Sequence, residues 1–419
     1  MGFYQGENVM FENIKNSSRT HVSFGDVVQL SKTKSKDPKK DGFERYIGLE
    51  HLEPSELKIR SWGNLSDGIT FTNVFKPGQV LFGKRRAYQR KVAVADFSGV
   101  CSGDIYVLEP KDERILKELL PFICQSEPFY DYVISMSQGG LSPRVNWKAL
   151  AKYEFALPSL EEQRSISKVL RAAQRCKEKI VNAHVKLETL KISLIEDLMS
   201  RGITKRHKRF KKTEVGNLPF DWDVVSLESV LKKFQNGFAF SSRGYETQGI
   251  PIITMANISL DGRFQINIDK MRFWPNEKAK NLEQYKIDTG DLLIAMTDVT
   301  PDQNLIGRMA MVNKEGPFLL NQRVGHLIVK DNLIDRRFLM HLSQGSRWRR
   351  YAISHTGQGT QANLSTADIK SALIPLPSIS EQIEISDYLS QIDCRLDDLK
   401  ARGCKIDNLR KTFISEWLT

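Results

Sequence analysis

The sequence predicts an α+β chain: two pseudo-repeated, mixed strand-rich α/β domains separated by two long antiparallel coiled-coil helices. Three observations predict it. The stretch "LPSLEEQRSISKVL" at 157–170 returns 219 residues later as "LPSISEQIEISDYL" at 376–389, with eight of fourteen positions identical, and such self-similarity marks an internal duplication. A chain of 419 residues exceeds what one hydrophobic core ordinarily organises. Each half also runs from short β-branched segments into helical patterns before it reaches the repeated stretch.

Taken in order, the first domain spans 1–156. Its apolar runs "DVVQL" (26–30), "PGQVLFG" (77–83), "KVAVADF" (91–97) and "DIYVLEP" (104–110) lie between Gly, Asp and Asn turns and read as strands. A central helix follows over 157–200, then a basic linker at 201–217, where "RGITKRHKRFKK" carries seven Lys or Arg and no acid. The second domain, 218–375, repeats the strand order as "DVVSL" (223–227), "TGDLLIA" (289–295), "RMAMVNK" (308–314) and "GHLIVKD" (325–331). The C-terminal helix spans 376–419. At the fixed offset of 219 the register holds from Gln125/Gln344 through Tyr132/Tyr351 and Ile134/Ile353 to Leu190/Leu409 and Ile195/Ile414.

Both copies of the repeat open a helix. Ser159 with Glu162, and Ser378 with Glu381, form the capping-box pattern, in which the hydroxyl accepts an early amide and the carboxylate returns to the Ser amide. With Gln163 and Gln382 they are the expected capping and subunit-contact residues. Leu170, Ala173, Ile180, Leu187, Leu190, Leu194 and Leu198 recur at helical spacing, as do Leu389, Ile392, Leu396, Leu399, Ile406, Leu409, Phe413 and Trp417. One narrow apolar stripe on a helix about 60 Å long calls for a partner helix.

The net charge of +12 and pI near 9.3 point to a polyanionic partner, most simply nucleic acid. Five scattered cysteines without C-x-x-C spacing read as reduced packing residues. The start lacks a signal-peptide h-region and no apolar run approaches a membrane span, so a cytoplasmic protein is expected. "GQVLFGK" imitates a P-loop, but Arg85 stands where Ser or Thr must hold magnesium and the interior reads as a strand. Glu56 and Lys58 trace only a loose nuclease outline, and no other catalytic or metal-binding motif is visible.

The candidate contacts to double-stranded DNA lie in loops. "FGKRRAYQRK" (82–91) supplies Lys84, Arg85, Arg86, Tyr88, Arg90 and Lys91 between two strands. Arg pairs bidentately with guanine edges, Lys neutralises phosphate and Tyr stacks. Gln138, Ser142, Arg144 and Asn146 come from the Gly-rich segment before the central helix, and Gln358, Gln361 and Asn363 from its counterpart before the C-terminal one. Arg243, Asn257, Thr297, Gln322, Arg323, Arg347 and Arg349 complete the set in the second half. A solvated loop is the plain alternative for each run, and a turn that merely sets up helix entry for the Gly-rich segments.

The doubled "LPSLEEQ" and "LPSISEQ" helix starts, with "GNLPFDWDVVSL" restarting the second half, resemble the specificity subunit of type I restriction-modification systems. The resemblance covers nearly the whole chain. It implies that each variable half is a target recognition domain reading one part of a split DNA sequence, with the paired helices as the spacer. It further implies a non-catalytic subunit that binds no cofactor itself. Its expected partners are two copies of an adenine-N6 methyltransferase subunit using S-adenosylmethionine, and a restriction and translocase subunit using ATP and Mg. A coiled-coil scaffold for protein partners and a cryptic Mg-dependent nuclease near Glu56 and Lys58 are the rival readings.

Overall fold

The computed structural model describes residues 19–300, 302–357 and 362–418. The chain divides into two compact units, one formed by residues 1–181 with 400–419 and the other by 182–399.

The two units share one topology. In the first, an antiparallel sheet runs Val28–Leu30, Ile105–Pro110, Val80–Gly83, Val92–Val94. A second sheet runs Gly63–Asn64, Arg45–Ile47, Gly99–Cys101, Asn73–Phe75, with Arg45–Ile47 and Gly99–Cys101 parallel. In the second unit the same places are taken by Leu231–Asn236, Val324–Val329, Leu292–Ala295, Met309–Met311, and by Phe273–Trp274, Ile250–Ile253, Phe318–Leu320, Lys286–Ile287. The parallel pair is again at the middle of the latter sheet. Each unit is closed by an antiparallel pair, Thr20–Ser23 with Glu154–Leu157 and Asp223–Ser226 with Leu373–Leu376. The helices Glu127–Ser135 and Ser346–Ser354 keep the 219-residue offset. The repeated tyrosines have one task in both halves: Tyr132 donates to the Ala149 carbonyl at 3.0 Å, and Tyr351 to that of Asp368 at 2.7 Å.

Two of the sequence parallels need correction. "DVVSL" does not match "DVVQL": Asp223–Ser226 stands where Thr20–Ser23 stands, and the buried Leu227 replaces the buried Phe24. The similar letters belong to neighbouring elements, because short β-branched runs look alike whatever their place. "DIYVLEP" and "GHLIVKD" are out by two residues, since Ile105 pairs with Gly83 as Val324 pairs with Ala295. A slip of two leaves every side chain on its own face and so is invisible to the alternation pattern.

The central helix is continuous from Leu160 to Arg201 and the C-terminal one from Ile379 to Leu418. The first unit's core takes Ile166 and Leu170 from the start of one helix and Ile414 and Trp417 from the end of the other. The second unit's core takes Ile195, Leu198 and Met199 with Ile385 and Leu389. Each unit therefore buries antiparallel halves of the two helices, which places the division of the chain inside the helices rather than at their ends. Lys177 pairs with Asp407 at 2.9 Å in the first unit and Lys191 with Asp393 at 2.7 Å in the second. Leu190 and Leu409, expected in the stripe, stand on the outside at 51% and 60% exposure, while the buried Lys191 occupies the inner face.

The helix starts differ in detail. Ser159 Oγ accepts from the Glu162 amide at 3.3 Å and the Ser159 amide donates to Glu162 Oε2 at 2.7 Å, a reciprocal box. Ser378 Oγ likewise accepts from the Glu381 amide at 3.4 Å, but the Glu381 carboxylate turns elsewhere: it receives Trp222 Nε1 at 3.0 Å, the Ile203 amide at 3.2 Å and lies 2.8 Å from His207 Nε2. Gln163 and Gln382 are fully buried and act alike. Gln163 Oε1 accepts the Leu116 amide while Nε2 donates to the Arg114 and Pro158 carbonyls; Gln382 does the same with Asp335, Leu333 and Pro377. These glutamines, with the buried Glu162 and Glu381, are internal ties, and their burial corrects the expectation that they meet another subunit.

The basic stretch at 201–217 is folded. Phe210–Thr213 and Gly216–Pro219 form a hairpin, Arg206 pairs with Glu384 at 2.6 Å, and His207 lies 2.9 Å from Asp221. Local charge masked this, because the acids that neutralise it sit on the C-terminal helix and beyond Pro219.

Candidate nucleic-acid interface

In the first unit the turn at 84–91 and the segment at 138–144 meet. The Arg86 amide donates to the Pro143 carbonyl at 2.7 Å, the Val145 amide to that of Lys84 at 3.0 Å, and Gln138 and Arg144 exchange both backbone bonds at 2.9 Å. Arg86 and Arg90 adopt the left-handed backbone at φ 52° and 55° on either side of the short turn Ala87–Gln89. Each such non-glycine residue costs on the order of 1–2 kcal/mol, so the surrounding bonds hold the turn in this shape. Tyr88 projects from its tip, 53% exposed, while Ala87 anchors it in the core.

Asp104 organises the cations and was missed from sequence, because its partners lie 19 and 40 residues away. Its carboxylate takes Arg85 Nη1 at 3.2 Å and Arg144 Nε at 2.8 Å, and Arg85 Nη2 donates to Ser142 Oγ at 3.1 Å. Burial opposes ionisation of Asp104, but the two guanidiniums hold its carboxyl below the usual range. One edge of each Arg is thereby fixed and Arg144 stays exposed, an arrangement suited to presenting donors to base edges or phosphate.

Other candidates in this unit are spent internally. Arg90 forms a bidentate pair with Glu127 and stacks 5.1 Å from the Tyr130 ring. Lys91 donates to the Leu49 carbonyl at 2.7 Å. Lys84 stands 4.7 Å over Tyr106, and Asn146 caps the helix Trp147–Leu150 by accepting the Ala149 amide at 2.8 Å. Glu56 bonds Arg60 at 3.3 Å and Gln174 at 3.2 Å, an internal tie rather than a nuclease carboxylate.

The second unit presents different chemistry at the same positions. Thr297–Asp298 pairs with Ala362–Asn363, where Arg85 bridges Arg144 in the first unit, and Arg323 replaces Asp104 before the long strand. Asn363 and Arg323 are exposed, whereas Thr297 is buried with its hydroxyl on Met255 Sδ at 3.4 Å. Burial opposes ionisation of Asp298, yet the amides of Thr300 and Leu305, at 2.8 and 2.7 Å, keep its carboxyl below the usual range.

Asn257, Gln322 and Arg323 line one cleft of about 610 Å³ with Gln265, Asn267, Lys270 and Arg272, four polar residues that sequence reasoning passed over. Their dispersal between short turns gave no run to notice. Asn257 is committed inside, its Oδ1 accepting the Thr254 amide and its Nδ2 donating to the Gln265 carbonyl, both at 2.9 Å. Gln322 and Arg323 are exposed at the rim, and Arg243 is exposed on the turn Ser242–Gly244. Arg349 is a correction: it is 8% exposed and donates to the Ile306 and Gln303 carbonyls, with burial and Arg308 pulling its pKa down to about 10. Arg347 is half-buried against the turn at Gly216, whose φ of 107° and lack of Cβ let the guanidinium approach. Gln358 and Gln361 lie outside the described residues.

Comparison with known proteins agrees with the duplicated architecture. A family model described as the type I restriction modification DNA specificity domain matches residues 19–188 and again 219–405. The chain is 25% identical over 411 residues to the type I restriction enzyme MjaVIII specificity subunit of Methanocaldococcus jannaschii, covering 95% of this chain and 91% of that one. It is 28% identical over 194 residues to the EcoBI specificity subunit of Escherichia coli, 46% of this chain and 36% of the relative. Among solved structures, the type I restriction-modification S subunit from M. genitalium superposes with a TM-score of 0.57 at 12% identity, covering 96% of this chain and 97% of that one. A chain from a study of assembly and conformational transition in the type I R-M system gives 0.56 at 19%, covering 95% and 96%.

Proposed function

Since this chain belongs to the type I restriction modification DNA specificity family, we propose that each of its units reads one part of a split duplex sequence and that partner subunits carry out the chemistry on it. The chain is the DNA-recognition subunit of the complex and not its catalyst. The observation that carries the bipartite reading is the pairing of one topology with two different sets of side chains: the half-buried Arg85 and the exposed Arg144, buttressed by Asp104, in one unit, and the exposed Arg323 and Asn363 at the equivalent places in the other. Two related domains of unlike surface suit a target whose halves differ, as a symmetric dimer suits a palindrome.

The partners in this reading are double-stranded DNA, two copies of a methyltransferase subunit and the restriction and translocase subunits. S-adenosylmethionine, ATP and Mg belong to those partners, and the complex works on chromosomal DNA in the cytoplasm. Among the described residues no helix is long and apolar enough to cross a membrane.

A single-molecule methylation map of host DNA, with this gene intact and deleted, tests the proposal. Loss on deletion of a split motif with a fixed gap, bearing adenine methylation on both strands, is the expected result. A map that keeps every such motif in a host whose methyltransferase subunit is expressed overturns it.

A further inference from the structure

The internal duplication allows each position of one half to be judged by its counterpart, and one groove in the first unit lacks what its counterpart holds. At the start of the C-terminal helix, Ser386 Oγ lies 2.7 Å from the Gln382 carbonyl and 3.1 Å from Asp335 Oδ1, both acceptors for its single proton, and Arg337 pairs with Asp335 at 3.3 Å and with Asp387 at 2.6 Å. That network is self-contained. At the 219-residue offset in the central helix, Ser167 remains, but Leu116 stands in place of Asp335, Glu118 in place of Arg337 and Lys168 in place of Asp387.

The consequences are an orphan and a surplus. Ser167 is 4% exposed and its hydroxyl has no hydrogen-bonding partner among the described residues. It lines a groove of about 510 Å³ together with Leu116, Glu118 and four cations, Arg164, Lys168, Arg171 and Arg175. These four are exposed and recur along one helix face over about 16 Å, against the single carboxylate of Glu118 in the same groove. The matching positions of the C-terminal helix are Ile383, Asp387, Ser390 and Cys394, so the stripe is peculiar to the first half. Four like charges in a row, with a buried hydroxyl beneath them, leave an unmet demand for an anion.

We propose that this groove binds the carboxylates of an acidic segment of a partner protein, which supplies from outside the group that Asp335 supplies from within the second half. A carboxylate on a slender side chain reaches the recessed Ser167 as Asp335 reaches Ser386, whereas a phosphate carried on the broad ribbon of a duplex engages only the outer cations. The proposal deepens the reading of this chain as an assembled subunit, but its test is independent of DNA recognition.

The probe is poly-L-glutamate, titrated against the purified full-length chain. Replacing Arg164, Lys168, Arg171 and Arg175 by Gln weakens binding about tenfold or more at low salt, where exposed charges are least screened. Replacing Lys148, Lys152, Lys179 and Lys186 by Gln removes the same charge elsewhere and weakens it by less than about threefold. Ser167→Ala weakens it by roughly two- to threefold through the lost hydrogen bond. All these positions but Ser167 are exposed, so folding is preserved, and near-UV circular dichroism confirms it for S167A. Equal weakening by the two quadruple variants overturns the proposal. So does a stripe variant that loses affinity for an unrelated DNA duplex while its affinity for poly-L-glutamate holds, since the groove is then a phosphate contact.

Discussion

Replacing Gln163 by Ala probes the tie between the first unit and its helix. The wild-type amide meets three backbone groups at 2.8–2.9 Å, the Leu116 amide and the Arg114 and Pro158 carbonyls, from a side chain with no exposure. Truncation leaves all three without that partner. A buried group deprived of its partner costs about 1–3 kcal/mol, and those near the surface recover part of this from water, so the expected loss is about 2–4 kcal/mol. Gln163→Glu is harsher at neutral pH, because a carboxylate then faces two carbonyl oxygens and one amide. Hydrogen exchange read by mass spectrometry is the assay: the segment around Leu116 and the first turn of the central helix exchange about 30- to 700-fold faster in Q163A, at tenfold per 1.4 kcal/mol. Gln382→Ala produces the same change around Asp335 in the second unit. Unchanged protection around Leu116 in Q163A, or a Q163E chain as well protected as wild type at pH 7, refutes the tie.

The remaining predictions separate reading from scaffolding. Arg144→Ala leaves thermal unfolding in place and lowers affinity for the cognate duplex about tenfold, as loss of one good base or phosphate contact does. Arg90→Ala lowers the stability of the first unit by about 1 kcal/mol with sequence preference intact, through loss of its bidentate Glu127 pair; binding competition on the two variants distinguishes the roles. His341 is buried, and burial, with Lys191 and Arg337, lowers its pKa to about 3. The folded chain therefore keeps it neutral where the unfolded chain protonates it below about pH 6.5. Unfolding binds a proton in that window, so stability falls as the pH drops from 6.5 toward 3, and denaturant titrations of His341→Asn show a shallower fall. Inserting one helical turn in both long helices lengthens the gap in the methylated motif with its half-sites unchanged; a motif with the same gap counts against the helices as its measure.

The sequence by itself determined the duplication, the two helices and their caps, because these rest on local signals: an identity of eight positions in fourteen, a Ser three residues before a Glu, an apolar period near 3.6. It also carried the strand order of both halves, although "DVVQL" and "DVVSL" show how short apolar runs mislead when matched by letters. Tertiary structure decided which polar residues are free. Arg90, Lys91, Asn146, Asn257 and Arg349 are of the right kind to meet DNA, yet each has a partner within its own unit. Asp104 fixes Arg85 and Arg144 from strand ends far apart in the chain, and Glu381 leaves its box for Trp222, 159 residues away. Residue type states what a side chain can bond. Only the packing of distant segments states what it has already bonded, and therefore what remains to face a partner.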